Sequence, residues 1–224
     1  MPAPGPHPHQ QAGSASPPDD FDSIELPLVS KSVHASTRKI AGGPWFRLHA
    51  TGHGALHFGR THTYRFDDPK GKFGVLYAGT DEYCAFIETF GQVLGPPLPA
   101  AGLRYVTDGD LERRDLARIR TSSKLRLVDL TGAGLARVGA DARLCSGDYR
   151  VAQKWSRAIH EHPSRPDGLV YPARRDPSRA AVAIFDRARP RLVSTALGTL
   201  MTPRNRPIRD GILSTYGLGL LITK

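Results

Sequence analysis

A strand-length apolar run, Gly74-Val75-Leu76-Tyr77-Ala78, leads within one turn into a helical stripe, and this pair constrains the fold more than any other feature. Gly71 and Gly79 bound the run, which reads as a buried strand. Tyr83, Phe86, Ile87 and Phe90 then recur at i, i+3, i+4 and i+7, one face of a helix. Thr80 or Asp81 supplies the N-cap and Gly91 the stop. A buried strand joined to an amphipathic helix requires a sheet with a helical layer packed on it.

The rest of the chain continues the alternation. Trp45 to Leu48 reads as a strand with Arg47 facing opposite to Phe46. Residues 103–106 and 124–130 read as strands, separated by a charged segment at 108–120. Residues 148–161 form a second helix, with Tyr149, Ala152, Trp155 and Ile159 inward. Residues 169–171 and 181–185 read as strands joined by the turn-rich Arg174-Arg175-Asp176-Pro177, and one more strand and an apolar segment at 208–222 follow Pro190. No internal repeat is visible. The pattern predicts one α+β domain over residues 42–224. It is preceded by an extension, residues 1–41, whose Pro- and Ser-rich start lacks the apolar side chains needed to offset its ordering entropy and reads as a flexible tail.

Composition narrows the function classes. No run of about 20 apolar residues occurs, so a transmembrane helix is not expected, and the N-terminus lacks the basic start and apolar core of a secretion signal. Cys84 and Cys145 form no Cys-x-x-Cys pair, which argues against a disulfide scaffold and a cysteine zinc site. A cytoplasmic protein is the expectation. The formal net charge is +10, and only seven of the 31 basic residues are lysine. Arginine forks suit bidentate contacts to phosphate and carboxylate.

Three apparent motifs weaken on inspection. His49, His53, His57 and His62 have near-helical spacing, but Gly52, Gly54 and Gly59 make a helix there improbable, so no metal is expected. Thr131-Gly132-Ala133-Gly134 hints at a dinucleotide fingerprint, yet Arg137 occupies the third glycine position, and a tight turn fits better. The basic stretch Arg113, Arg114, Arg118, Arg120, Lys124 and Arg126 is interrupted by aspartates and lacks stacking aromatics, so it reads as a solvated face and nucleic acid is not an expected partner.

One constellation remains: Arg47, Arg65, Tyr77 and Glu88. Taken singly, Glu88 falls off the apolar stripe of its helix and reads as a surface carboxylate, and the arginines as surface bases. Taken in order, Phe46-Arg47-Leu48, Tyr64-Arg65-Phe66-Asp67-Asp68-Pro69, Phe73 to Tyr77, Ala85-Phe86-Ile87-Glu88, Gln153-Lys154-Trp155, and Asp167 to Tyr171 followed by residues 181–185 resemble the RES domain family, named for an arginine, a glutamate and a serine.

The resemblance implies an ADP-ribosyltransferase-like mixed β core flanked by helices. It also implies a toxin of a bacterial toxin–antitoxin pair that degrades NAD by phosphorolysis or hydrolysis. NAD is then a substrate, phosphate a possible co-substrate, and no resident cofactor is required. By position, Arg47 and Arg65 match the two cleft arginines, Tyr77 the strand tyrosine and Glu88 the signature glutamate. The family serine position, two residues after Tyr171, is Ala173 here; Ser178, beyond the turn, is the nearest serine. The chemistry implied is cationic clamping of the substrate's phosphates by Arg47 and Arg65, an aromatic wall from Tyr77, and stabilisation of a ribosyl cation by Glu88. An antitoxin partner, acidic to match the +10 chain, follows from the same resemblance. ADP-ribosyl transfer to a macromolecule and a catalytically weakened binding protein of the same fold remain open alternatives.

Overall fold

The computed structural model describes residues 37–40, 43–94, 102 and 104–223. Its centre is an eight-stranded mixed sheet. The strands are β1 (Thr37–Ile40), β2 (Trp45–Ala50), β3 (Val75–Gly79), β5 (Arg114–Thr121), β6 (Leu125–Asp129), β7 (Gly168–Pro172), β8 (Ala180–Phe185) and β9 (Leu192–Thr199). Their order is β1-β6-β7-β8-β3-β2-β5-β9. Only β6 and β7 run parallel; every other neighbouring pair is antiparallel. A parallel two-stranded ribbon, β4 (Arg104–Thr107) with β10 (Leu218–Leu221), lies apart from it.

The alternation along each strand sorts its side chains into two cores. Val75, Leu169, Ala183 and Phe185 point to one face, where they meet Cys84 and Ile87 of α1 (Glu82–Phe90) and Trp155 and Ile159 of α5 (Tyr149–Glu161). Burying Trp155 or Ile159 stabilises the fold by about 1.5–3 kcal/mol each. Leu76, Val170, Val182 and Ile184 point to the other face. There Trp45 and Ile119 share a cluster with Leu125 and Leu127, although three strands separate β2 from β6 and four separate β5 from it; only residues 122–124 join β5 to β6 in the chain. The sheet therefore curls so that its own ends close that core. A third cluster joins Phe86 of α1 to Ile212 and Leu213 of α6 (Arg206–Tyr216) and to Val106 and Leu218 of the ribbon. Short helices α2 (Asp108–Glu112), α3 (Ala133–Arg137) and α4 (Arg143–Ser146) fill the connections. The mixed α+β, single-domain architecture matches the expectation from the sequence.

Several local expectations are revised. The segment at 108–120 is not a solvated connection. Its first residues form α2, and β5 then places Leu116, Ala117 and Ile119 in the core while its arginines keep some contact with solvent. Tyr149 is 39% exposed, not inward, because it opens α5 just after the Asp148 cap. Thr37–Ile40 pair with β6, so the body takes in residues upstream of the boundary expected at 42. The earlier part of the extension, residues 1–36, lies outside the described residues. Thr131–Gly134 is, as expected, a turn, here leading into α3, and a side chain at Gly134 would collide with the Asp129 carbonyl. Among the described residues no helix is long and apolar enough to cross a membrane.

Candidate functional site

Glu88 owes its position to the strand-to-helix turn. The Asp81 side chain accepts the Cys84 N–H at 2.7 Å and starts α1 on the edge of β3. Gly79 allows that start to sit against the strand, because a Cβ there would lie 2.5 Å from the Ala85 nitrogen. Phe86 and Ile87 turn into the cores, which leaves Glu88 facing away from them at an exposed position. Its carboxylate is nonetheless engaged. Oε2 accepts from the Tyr171 hydroxyl at 3.3 Å and Oε1 from the Arg174 backbone N–H at 3.2 Å. Partial loss of hydration raises the Glu88 pKa, while those two donors and the Arg65 and Arg174 charges pull it down.

Arg65 lies in the connection between β2 and β3, which is laid along α5. Gln153 Nε2 donates to the carbonyls of His62 and Tyr64, and Ser156 Oγ to that of Phe66 at 2.6 Å. Phe66, fully buried, packs edge-on to Tyr171 at 4.8 Å. Arg65 itself is 7% exposed; Nη1 donates to the Gly147 carbonyl at 2.9 Å and the guanidinium lies 4.4 Å from the Tyr149 ring centre. Its Nη2 is buried with no partner among the described residues. A buried guanidinium nitrogen left unbonded is an opening for an acceptor from a ligand.

Tyr77 links the two halves. Its hydroxyl donates to Asp67 Oδ1 and accepts the Phe66 N–H, both at 2.9 Å, and Asp67 Oδ2 accepts the Tyr64 N–H at 3.0 Å. Burial raises the Asp67 pKa, and burial followed by the Asp67 charge raises Tyr77 well above the usual phenol range. Tyr64, 56% exposed, tilts over Tyr77 with ring centres 5.6 Å apart. Arg47 on β2 donates through Nη1 to the carbonyls of Ala55 and His57 at 2.9 and 2.8 Å; burial lowers it to about 10, partly offset by Tyr64.

The constellation falls into two electrostatic or ring-contact groups, Arg47 with Tyr64 and Tyr77, and Arg65 with Glu88. Tyr64 acts electrostatically on Arg47 and its ring tilts over Tyr77, and Arg65 acts electrostatically on Glu88. The structure adds Tyr171, the Arg174 N–H and Asp67, which sequence reasoning passed over as family markers or turn residues. It also makes Tyr64 and Tyr149 the accessible aromatic surfaces beside Arg65, whereas the Tyr77 hydroxyl is already committed.

Ala173 and Ser178 occupy different settings. Ala173 is fully buried among Phe66, Tyr171 and Ala181, and its N–H donates to the Arg179 carbonyl at 2.9 Å. Ser178 donates its hydroxyl to Asp176 Oδ1 within the β7–β8 turn, and Tyr216 holds the other Asp176 oxygen at 2.9 Å. The Ser178 hydroxyl is thus engaged within the turn. Burial pushes Cys84 up to about 12 and Cys145 to about 11, so neither is an activated thiol. Among the described residues no group of three or more potential ligands could hold a metal ion.

The RES domain pattern matches residues 41–201. The chain belongs to the RES domain family. It is 32% identical over 114 residues to the probable toxin y4kH of Sinorhizobium fredii, an alignment covering 50% of this chain and 87% of that protein. Its fold is similar to a chain of the M. tuberculosis MbcT–MbcA toxin–antitoxin complex, with a TM-score of 0.59, 18% identity, and coverage of 80% of this chain and 95% of that one. The matched residues include Arg47, Arg65, Tyr77, Glu88 and Ala173.

Proposed function

We propose that this RES domain protein is the toxin of a toxin–antitoxin pair and that it cleaves NAD at the nicotinamide N-glycosidic bond. The observation that carries the reading is the pairing of a doubly hydrogen-bonded carboxylate, Glu88, with a buried guanidinium, Arg65, whose Nη2 has no partner among the described residues. The names of the y4kH relative and of the MbcT–MbcA complex support the toxin role.

In the proposed reaction the bond between ribose C1′ and the nicotinamide nitrogen breaks, and its electron pair leaves with the now neutral nicotinamide. Positive charge builds on the ribose, where the Glu88 carboxylate stabilises it. A phosphate or water oxygen then bonds to C1′ and surrenders its proton to solvent. Arg65 holds a substrate phosphate through its free nitrogen. Arg47, which spends Nη1 on two carbonyls, contributes through its remaining nitrogens and its charge. Tyr64 and Tyr149 offer ring faces for the bases.

The test is product analysis with purified protein, NAD, and phosphate present or absent. Free nicotinamide with ADP-ribose or its phosphate ester supports the proposal, and the phosphate dependence separates phosphorolysis from hydrolysis. Label transferred to protein or nucleic acid would instead support ADP-ribosyl transfer. NAD bound without turnover would support the weakened binding protein that Ala173 suggests. Glu88→Gln keeps the shape and removes the charge, so turnover should fall by about 10²-fold or more, roughly 3 kcal/mol of transition-state stabilisation. Wild-type turnover in the folded variant would reject the role given to Glu88. Host growth arrest on expression, relieved by an acidic partner that binds more slowly at high salt, is the expected cellular signature.

A further inference from the structure

A hollow of about 500 Å³ lies at the opposite end of the central strands from Glu88 and is lined by Lys124, Arg126, Arg165, Asp167, Arg187 and Arg191. Asp167 precedes β7, whereas Tyr171, which touches Glu88, is near its end; four residues of strand put about 13 Å between them. Three segments converge here: the start of β6, the loop entering β7, and the helical turn Asp186–Arg191 after β8.

Five cations surround one carboxylate, and that carboxylate is already in use. Asp167 Oδ2 accepts the Arg126 N–H at 2.8 Å, and Oδ1 is paired with Arg191. The other guanidinium contacts are to neutral carbonyls. Arg126 Nη2 donates to the Arg165 carbonyl at 3.1 Å and Arg187 Nη2 to that of His160 at 2.7 Å. Arg187 Nη1 is buried with no partner among the described residues. Asp186, next in the chain, is held elsewhere by Arg60 and the Gly74 N–H. Burial first, then the Arg165 charge, lowers the Arg187 pKa, opposed in part by Asp167 and Asp186. Such a cluster gains most from a compact multivalent anion that accepts several N–H donors at once.

We propose that this hollow binds a phosphate-type oxyanion carried by a small molecule, either free phosphate or the phosphoryl group of a nucleotide. A concave site without aromatic lining lacks the stacking platform that single-stranded nucleic acid uses, which favours the small ligand. The inference is independent of the NAD reading, because it draws on no residue of the candidate site around Glu88.

Titration calorimetry of the full chain with inorganic phosphate, pyrophosphate and AMP, at ionic strength fixed with chloride, tests it. Saturable binding of at least one of the three is expected, weakened at least about tenfold by Arg126→Gln and by Arg165→Gln. Both side chains are exposed, so folding should survive, and Arg187→Gln adds the buried donor. Tighter binding of inorganic phosphate than of AMP assigns the site to the free ion, and the reverse to a nucleotide. No saturable binding of any probe, or binding indifferent to the first two substitutions, would overturn the proposal. So would binding lost only in Arg65→Gln, which places the anion in the candidate site around Glu88, or tighter capture of a single-stranded oligonucleotide through Arg126 and Arg165.

Discussion

The Tyr171 hydroxyl donates to Glu88 Oε2 across 3.3 Å, joining residues 83 positions apart and tying the exposed face of α1 to the buried end of β7. The contact makes Tyr171 more than a core ring. It helps hold the carboxylate ionised against the desolvation that raises its pKa.

Tyr171→Phe should therefore raise the Glu88 pKa. If the ionised carboxylate stabilises the ribosyl cation, the acid limb of the kcat/KM profile for NAD should move to higher pH. The loss should be largest on the acid side and shrink toward the plateau. A pH–rate series on both proteins checks this; an unshifted limb in an active variant would detach Tyr171 from the carboxylate's titration.

Gly79 sets where α1 begins, and its replacement should disturb fold and site together. A methyl at 79 meets the Ala85 nitrogen at 2.5 Å and Cys84 Cβ at 2.6 Å. Gly79→Ala should cost about 1–3 kcal/mol through overpacking. Since Glu88 rides on the same helix, a displacement near 1 Å could cost as much as about 10²-fold in turnover. Gly54→Ala, where an added methyl meets nothing within 4 Å, is the control for both readouts. Urea melts and NAD turnover of the two variants decide the matter, and parallel behaviour would contradict the packing argument.

Asp67 gives a pH signature in stability. Its side chain is buried, and burial raises its pKa despite the donors from Tyr64 and Tyr77. The folded protein thus binds this proton more tightly than the unfolded chain. The contribution to stability is fully present below the unfolded pKa and is lost as pH rises through the folded one. Asp67→Asn removes the linkage, so wild-type stability minus variant stability should fall with rising pH across that window and level off on either side. Denaturant melts at stepped pH measure it; a difference that grows with pH would mean the folded state prefers the carboxylate.

Those contacts also mark the limit of what the sequence makes legible. The Val75–Gly79 strand and α1 are readable because each keeps a clean period and the cap and stop residues agree with it. β5 is hidden because Leu116 and Ile119 face different cores and stand three residues apart among arginines, so no two-residue period survives and only the pairing with β2 and β9 reveals the strand. At the site, Arg47, Arg65, Tyr77 and Glu88 are identifiable by resemblance. The Tyr171–Glu88 and Arg174–Glu88 bonds are not, since they depend on how β7 and α1 come together across the sheet. Asp67 has no local signal at all: Asp67 and Asp68 look alike in sequence, yet one binds Tyr77 and the other pairs with Arg157.

The paired variants Ala173→Ser and Ser178→Ala test what the alanine means. Tyr171 and Ala173 are two residues apart, so their side chains share a face, and the Tyr171 face is the one that meets Glu88. A hydroxyl added at 173 should find the carboxylate or the substrate, contributing about 0.5–1.5 kcal/mol if neutral and up to roughly 3 if charge-assisted. NAD turnover should then rise by a few-fold to about a hundredfold. Ser178→Ala breaks a bond within the Asp176 turn, so it should lower stability by about 1 kcal/mol and leave turnover near wild type. Loss of turnover in Ser178→Ala would restore Ser178 to the site against its observed contact with Asp176. A folded Ala173→Ser without gain, and less stable by the cost of an unpaired buried hydroxyl, would mean that the Ala173 methyl is a packing group and that the carboxylate depends on Tyr171 and the Arg174 N–H alone.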